Sequence, residues 1–277
     1  MSIYINKLID IPKRTISYYV NKAEDLKECI FLLGGYINVG EKFWINQYRD
    51  KELIQNYKII TIDYFNSGNS KEKEDKEYDM KELVDTIDLV ITTEKCDKVI
   101  LVGFSFGSNV ALSYAKYYRN KVSCMILFAP TFHIERKYRR VLFAVQEMLS
   151  RGCNLETVLY VLAPWGYTNT EYEIIHANEG DNIRRLSENE TTSGLIRRIK
   201  LIQEINLVDA VKENDVPTCL VTGKYDDISP LMFQEKLHSY LINSTLIVLE
   251  SGHAVGLQDT KFFNSIIKKQ ISKLIYE

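Results

Sequence analysis

The chain has 277 residues, 45% of them hydrophobic and 26% charged, with a formal net charge of −2. That length accommodates one large α/β domain with a sizeable insertion. The near-neutral charge supplies no global field to recruit nucleic acid or an acidic membrane, and no apolar run approaches the ~18 residues of a membrane span.

The N-terminal stretch, Met1 to Lys7, lacks the apolar core of a signal peptide. Two strand-like segments lead into an apolar run at 29–33, followed by Gly34-Gly35-Tyr36 and a predicted helix near 42–55 containing Trp44. A strand at 58–62 ends in Asp63-Tyr64-Phe65-Asn66-Ser67-Gly68-Asn69-Ser70. The charged run from Lys71 to Glu77 then reads as a solvated loop. Met80, Leu83, Val84, Ile87 and Ile91 recur at helical spacing and mark one buried face. Strand 99–104, a helix over Ser108–Ala115 and strand 122–129 complete this part. Strands alternating with helices argue for a mostly parallel sheet covered on both faces. The five cysteines, Cys29, Cys96, Cys124, Cys153 and Cys219, show no metal-ligand spacing. Three fall in predicted core strands, where a free thiol behaves as a small hydrophobe. A reducing cytoplasm is therefore expected.

Gly103-Phe104-Ser105-Phe106-Gly107 joins the apolar run 99–102 to the following helix. A strand that turns sharply into a helix leaves little room, and glycines two before and two after the serine remove the side chains that would clash. Ser105 is then held on a strained turn with its Oγ exposed at the carboxyl edge of the sheet. A nucleophilic serine needs a base, and the base an orienting acid. Both are available downstream in loops that leave strands. Strand 218–222 precedes Gly223-Lys224-Tyr225-Asp226-Asp227-Ile228-Ser229-Pro230, and strand 246–249 precedes Glu250-Ser251-Gly252-His253-Ala254. In a parallel sheet these loops share one edge, so three distant residues can converge.

On these three segments the chain resembles the α/β-hydrolase superfamily, from Gly34-Gly35 to the last helix. The resemblance implies an α/β-hydrolase fold: a mostly parallel central sheet flanked by helices, with an inserted helical cap. It implies Ser105 as nucleophile, Asp226 as acid and His253 as general base. Gly223, Asp226, Ile228 and Pro230 fit the superfamily's spacing for the acid, which leaves Asp227 solvated; Glu135 is the alternative that some relatives suggest. His133, His176 and His238 are expected in surface or structural roles. The oxyanion hole is implied at the backbone N–H groups of Phe106 and Tyr36. Two departures fall in loops. Gly34 stands where many relatives have histidine, and Asn66 stands where they have glycine, although asparagine tolerates a positive φ.

From Thr131 to Glu213 no strand pattern is visible. Tyr138, Leu142, Val145 and Leu149 share one helical face; Leu155, Val158, Leu159 and Leu162 a second; Leu195, Ile199, Ile202 and Ile205 a third. This segment, 131–213, is the expected cap, between core segments 1–130 and 214–277. Arg136, Lys137, Arg139, Arg140, Arg184, Arg185, Arg197, Arg198 and Lys200 make it basic. A solvated face accounts for that, and an anionic acyl substrate is the sharper reading. Trp165 and Tyr167 are candidates for the pocket wall, with simple packing as the alternative.

The resemblance implies hydrolysis of a small-molecule ester or thioester through an acyl-serine, with no metal and no organic cofactor. The same triad also serves acyltransferases, carbon–carbon bond hydrolases, lyases and cofactor-free peroxidases. A small-molecule receptor that turns over slowly is the reading from a different class.

Overall fold

The computed structural model describes residues 3–23, 26, 28–37, 40–74, 77–188, 190–257 and 259–276. Met1 and Ser2 of the N-terminal stretch, and Asp75 and Lys76 of the charged run, lie outside the described residues.

The described residues form a nine-stranded sheet. In chain order the elements are β1 (Tyr4–Ile11), β2 (Arg14–Asn21), β3 (Glu28–Leu33), α1 (Ile45–Tyr48), α2 (Lys51–Asn56), β4 (Lys58–Ile62), β5 (Lys71–Glu72), α3 (Met80–Thr93), β6 (Lys98–Phe104), α4 (Phe106–Tyr118) and β7 (Val122–Phe128). Six helices follow: α5 (Arg136–Ser150), α6 (Leu155–Leu162), α7 (Asn169–Ile175), α8 (Glu179–Ser187), α9 (Thr192–Glu204) and α10 (Val208–Lys212). The chain closes with β8 (Thr218–Gly223), α11 (Leu231–Tyr240), β9 (Ser244–Leu249) and α12 (Thr260–Tyr276). The spatial order is β1-β2-β4-β3-β6-β7-β8-β9, with β5 beside β2. β1 and β2 pair antiparallel, as do β2 and β4, while every pair from β4–β3 to β8–β9 is parallel.

The central strands β3, β6 and β7 carry near-continuous apolar runs because both faces are covered. In β6, Val99 and Leu101 pack into the core layer beneath α3 and α4, while Ile100 and Val102 pack into the opposite layer with Trp44, Phe263 and Ile267. Helix α3 buries Leu83, Val84, Ile87 and Ile91 as its spacing predicts. The expected helix near 42–55 is broken into α1 and α2, and buried Trp44 precedes α1. Asp50 restarts the helix by accepting the Glu52 and Leu53 N–H groups.

One charged group of the run 71–77 contradicts the reading of a solvated loop. Lys71 and Glu72 pair with β2, and the Glu72 side chain is buried 3.0 Å from Arg14 Nε. The run is thus partly an edge strand, because a buried arginine supplies a counter-ion. The reading of the cysteines as free thiols also needs correction. Cys29 and Cys96 form a disulfide across a sequence separation of 67, with Cα atoms 6.2 Å apart. Disulfides persist mainly in oxidising compartments.

Asp63 follows β4 and is 1% exposed; its Oδ2 accepts the Tyr19 hydroxyl and the Asn69 N–H. Burial pushes its carboxyl up to about 6. The folded state therefore prefers the neutral acid. This contribution is complete below the unfolded value and is lost as pH rises through the folded one. Relative to Asp63→Asn, the native chain should lose about 2 kcal/mol between pH 4.5 and 7.5. Urea midpoints of both chains at the two pH values test this, and a gap that does not move with pH would contradict it.

Candidate active site

The carboxyl ends of β3, β6, β8 and β9 lie on one edge of the sheet, because these strands run parallel. Ser105 follows β6, with φ 51° and ψ −116°. A non-glycine residue in such a conformation is strained and needs over-determination by its surroundings. Its N–H donates to the Phe128 carbonyl at 2.9 Å. A Cβ on Gly107 would lie 2.0 Å from the Leu33 carbonyl oxygen, and one on Gly103 2.7 Å from that of Gly107. Both glycines are thus demanded by close backbone approach.

His253 Nε2 lies 2.9 Å from Ser105 Oγ, and its Nδ1 lies 2.8 Å from Asp226 Oδ2. The other Asp226 oxygen accepts the Ile228 and Ser229 N–H groups at 2.8 and 2.7 Å. Both Asp226 oxygens are thus engaged, which holds the carboxylate against the imidazole. Ser105, Asp226 and His253 are 9%, 4% and 6% exposed, which limits competition from water for these bonds. Asp227 is exposed. Glu135 lies 2.8 Å from His133 Nε2 instead. His176 and His238 contact the Glu173 carbonyl and the Ser244 hydroxyl.

The loop after β3 packs against the start of α4, since a Gly107 Cβ would also meet the Gly34 carbonyl oxygen at 2.6 Å. The Gly34 carbonyl accepts the Tyr64 hydroxyl at 2.9 Å, and the Tyr36 carbonyl accepts Arg198 Nε at 2.6 Å. Phe106 is the first residue of α4, where an N–H has no intrahelical acceptor. Neither this N–H nor that of Tyr36 finds a protein acceptor among the described residues. Asn66 adopts φ 55°, the positive value its departure from glycine requires, and its Oδ1 accepts the Glu72 N–H.

The residues from 131 to 213 bury the three apolar faces expected of them on α5, α6 and α9. Most of the arginines there are exposed, but Arg198 is 0% exposed and ion-paired with Glu190. Its remaining nitrogens donate to the Tyr36 and Phe65 carbonyls. It is a strut between α9 and two core loops, and the expectation of a solvated cation is wrong for it. Its position within the apolar face of α9, one residue before Ile199, was the available signal. Burial holds the Tyr36 and Tyr138 phenols above their ordinary value. Trp165 lies beneath Lys137, whose Nζ is 5.5 Å from the ring centroid.

Residues 29–260 match the family of the alpha/beta hydrolase fold, and the chain belongs to that family. Proline iminopeptidase of Thermoplasma volcanium is 23% identical, over 94% of each chain. Pimeloyl-[acyl-carrier protein] methyl ester esterase of Aliivibrio fischeri is 23% identical, over 80% of this chain and 86% of its own. Among solved structures, MGS-M2, an alpha/beta hydrolase enzyme from a Medee basin deep-sea metagenome library, superposes with a TM-score of 0.86 at 17% identity, over 96% of this chain and 97% of its own. Among the described residues, no helix is long and apolar enough to cross a membrane.

Proposed function

We propose that this chain is a serine hydrolase that cleaves a small-molecule carboxylic ester or thioester through an acyl-serine intermediate. The observation that carries the reading is the continuous bonding from Asp226 through His253 to Ser105, on a serine held at a strained strand-to-helix turn. In the first half-reaction His253 Nε2 takes the Ser105 hydroxyl proton as Oγ attacks the acyl carbon. The carbonyl electron pair moves to oxygen, where the Phe106 and Tyr36 N–H groups receive it. An oxyanion donor is typically worth ~3 kcal/mol. Collapse of this intermediate breaks the bond to the leaving alcohol or thiol, which takes the proton back from His253. Water then gives a proton to His253 and attacks the acyl-serine, releasing the carboxylic acid and restoring Ser105. Asp226 holds the imidazole with Nδ1–H toward itself, which leaves Nε2 free to accept.

Residues 131–213 act as a cap over this site, carried by a core of residues 1–130 and 214–277. Enclosure of the triad excludes water and strengthens the oxyanion contacts. The relatives named above include an ester hydrolase, which favours ester and thioester donors among the reactions this triad serves. A panel of p-nitrophenyl esters and acyl thioesters of graded chain length, neutral and anionic, tests the reading. Turnover of at least one donor is expected, with preference that changes when inner-face residues of α5 or α9 are substituted. Saturable binding of donors with no turnover of any would indicate a receptor instead.

A further inference from the structure

The loop that carries His253 is gripped from the proposed cap. The two amides flanking the histidine both donate to segment 166–171: Gly252 N–H to Glu171 Oε2, and Ala254 N–H to the Gly166 carbonyl, each at 2.9 Å. The loop between them has little slack. A Cβ on Gly252 would lie 2.9 Å from Tyr167 Cα and 3.0 Å from both the Gly166 oxygen and the Thr168 nitrogen. On its other side, a Cβ on Gly223 would lie 2.1 Å from the Gly252 oxygen. The histidine loop is therefore clasped between the acid-bearing end of β8 and the start of α7.

Glu171 has two tasks in this clasp. It completes a capping box with Thr168, accepting the Thr168 N–H at 2.7 Å while Thr168 Oγ1 accepts the Glu171 N–H at 3.2 Å. A capping box is closed by that reciprocal pair alone. Here the oxygen that accepts the Thr168 N–H reaches on to the backbone 81 residues away. Glu171 is only 9% exposed. Burying a carboxylate is costly unless its hydrogen bonds are made, and a charge-assisted bond to backbone N–H is stronger than a neutral one. A glutamate that merely capped α7 could do so from an exposed position.

We propose that Glu171 is a positioning residue for His253: by holding Gly252 N–H it sets the imidazole at its distance from Ser105, so that docking of the cap and alignment of the base are one event. This rests on the reading of His253 as the general base. A base displaced by even ~1 Å can lose on the order of 10²-fold in rate.

Four variants separate positioning from structure, each measured for kcat and KM on one p-nitrophenyl ester, for the rate of Ser105 labelling by a fluorophosphonate, and for Tm. Glu171→Ala removes both bonds; kcat and labelling rate should fall together by roughly 10- to 100-fold, with KM within about threefold. Glu171→Gln keeps an acceptor oxygen and should recover kcat to within about fivefold of native. Thr168→Val removes the hydroxyl half of the capping box but leaves the bond to Gly252; it should lower Tm and leave kcat within about twofold. Glu171→Asp draws the carboxylate back by one methylene, and serves in place of the alanine variant if that chain does not fold. Equal losses of kcat in Thr168→Val and Glu171→Ala, or native kcat in Glu171→Ala, would overturn the proposal. His253→Ala, run alongside, keeps the two readings apart. If it retains turnover, the hydrolase mechanism itself fails; if it is inactive while Glu171→Ala is not, only the positioning role fails.

Discussion

Replacing Ser105 with alanine is expected to abolish labelling by a fluorophosphonate and to lower ester turnover by on the order of 10⁶-fold, the scale typical of losing a triad nucleophile. The size follows from what the substitution removes. Oγ is both the atom that forms the new bond and the acceptor-donor partner of His253 Nε2 at 2.9 Å. Alanine retains the backbone bond from residue 105 to the Phe128 carbonyl and the close packing around Gly103 and Gly107, so the elbow should persist and Tm should move little. The residual rate would come from the oxyanion donors and binding alone. Labelling that persists in the alanine variant would remove Ser105 from the mechanism, as would loss of labelling with turnover intact.

The second large effect separates two adjacent aspartates. Asp226→Asn should lower turnover by on the order of 10⁴-fold, whereas Asp227→Asn should stay within about tenfold of native. Asp226 Oδ2 faces His253 Nδ1, and Oδ1 is engaged by two backbone N–H groups. An asparagine in this position must keep its oxygen toward those two amides, which turns its NH₂ toward the histidine. The imidazole would then adopt the tautomer with its proton on Nε2, where it cannot accept from Ser105. Asp227 is exposed and makes no such bond, so its loss changes only a screened charge. Turnover of both variants on one activated ester decides the assignment. The reverse ranking would move the acid to Asp227, and small losses in both would mean that His253 works without a carboxylate.

Much of this architecture is legible in the sequence because its causes are local. The elbow is readable since the glycines it needs sit two residues either side of the serine, and the clash they avoid is with the neighbouring strand and turn. The apolar faces of α3, α5, α6 and α9 are readable since burial of one helical side imposes its period on the chain. Ser105 and His253 lie 148 residues apart, yet each follows a strand in the parallel part of the sheet, and that common edge makes their meeting foreseeable.

What escapes the sequence is the pairing of charged or polar groups across long separations. Glu72 looks like part of a solvated run until Arg14 is found beside it. Arg198 looks like one more surface cation, although it reaches a carbonyl 162 residues away. Glu171 and the Cys29–Cys96 disulfide are similar. None of these has a periodic or motif signature, because the energy of a buried polar group depends on which partner the fold delivers to it and not on its neighbours in the chain. Arg198 and Glu171 join residues 131–213 to the glycine and histidine loops by bonds of this kind, whereas the apolar faces of α5, α6 and α9 have the helical period that makes them legible.

The most direct test of the central claim is to trap the covalent intermediate. Native chain mixed with a p-nitrophenyl ester, quenched in acid within the first turnover and digested, should yield the peptide containing Ser105 heavier by the acyl group. The same peptide from Ser105→Ala should be unmodified. Sustained turnover by the native chain with no acyl group on Ser105, at a quench time matched to the first burst of p-nitrophenol, would contradict the acyl-serine mechanism.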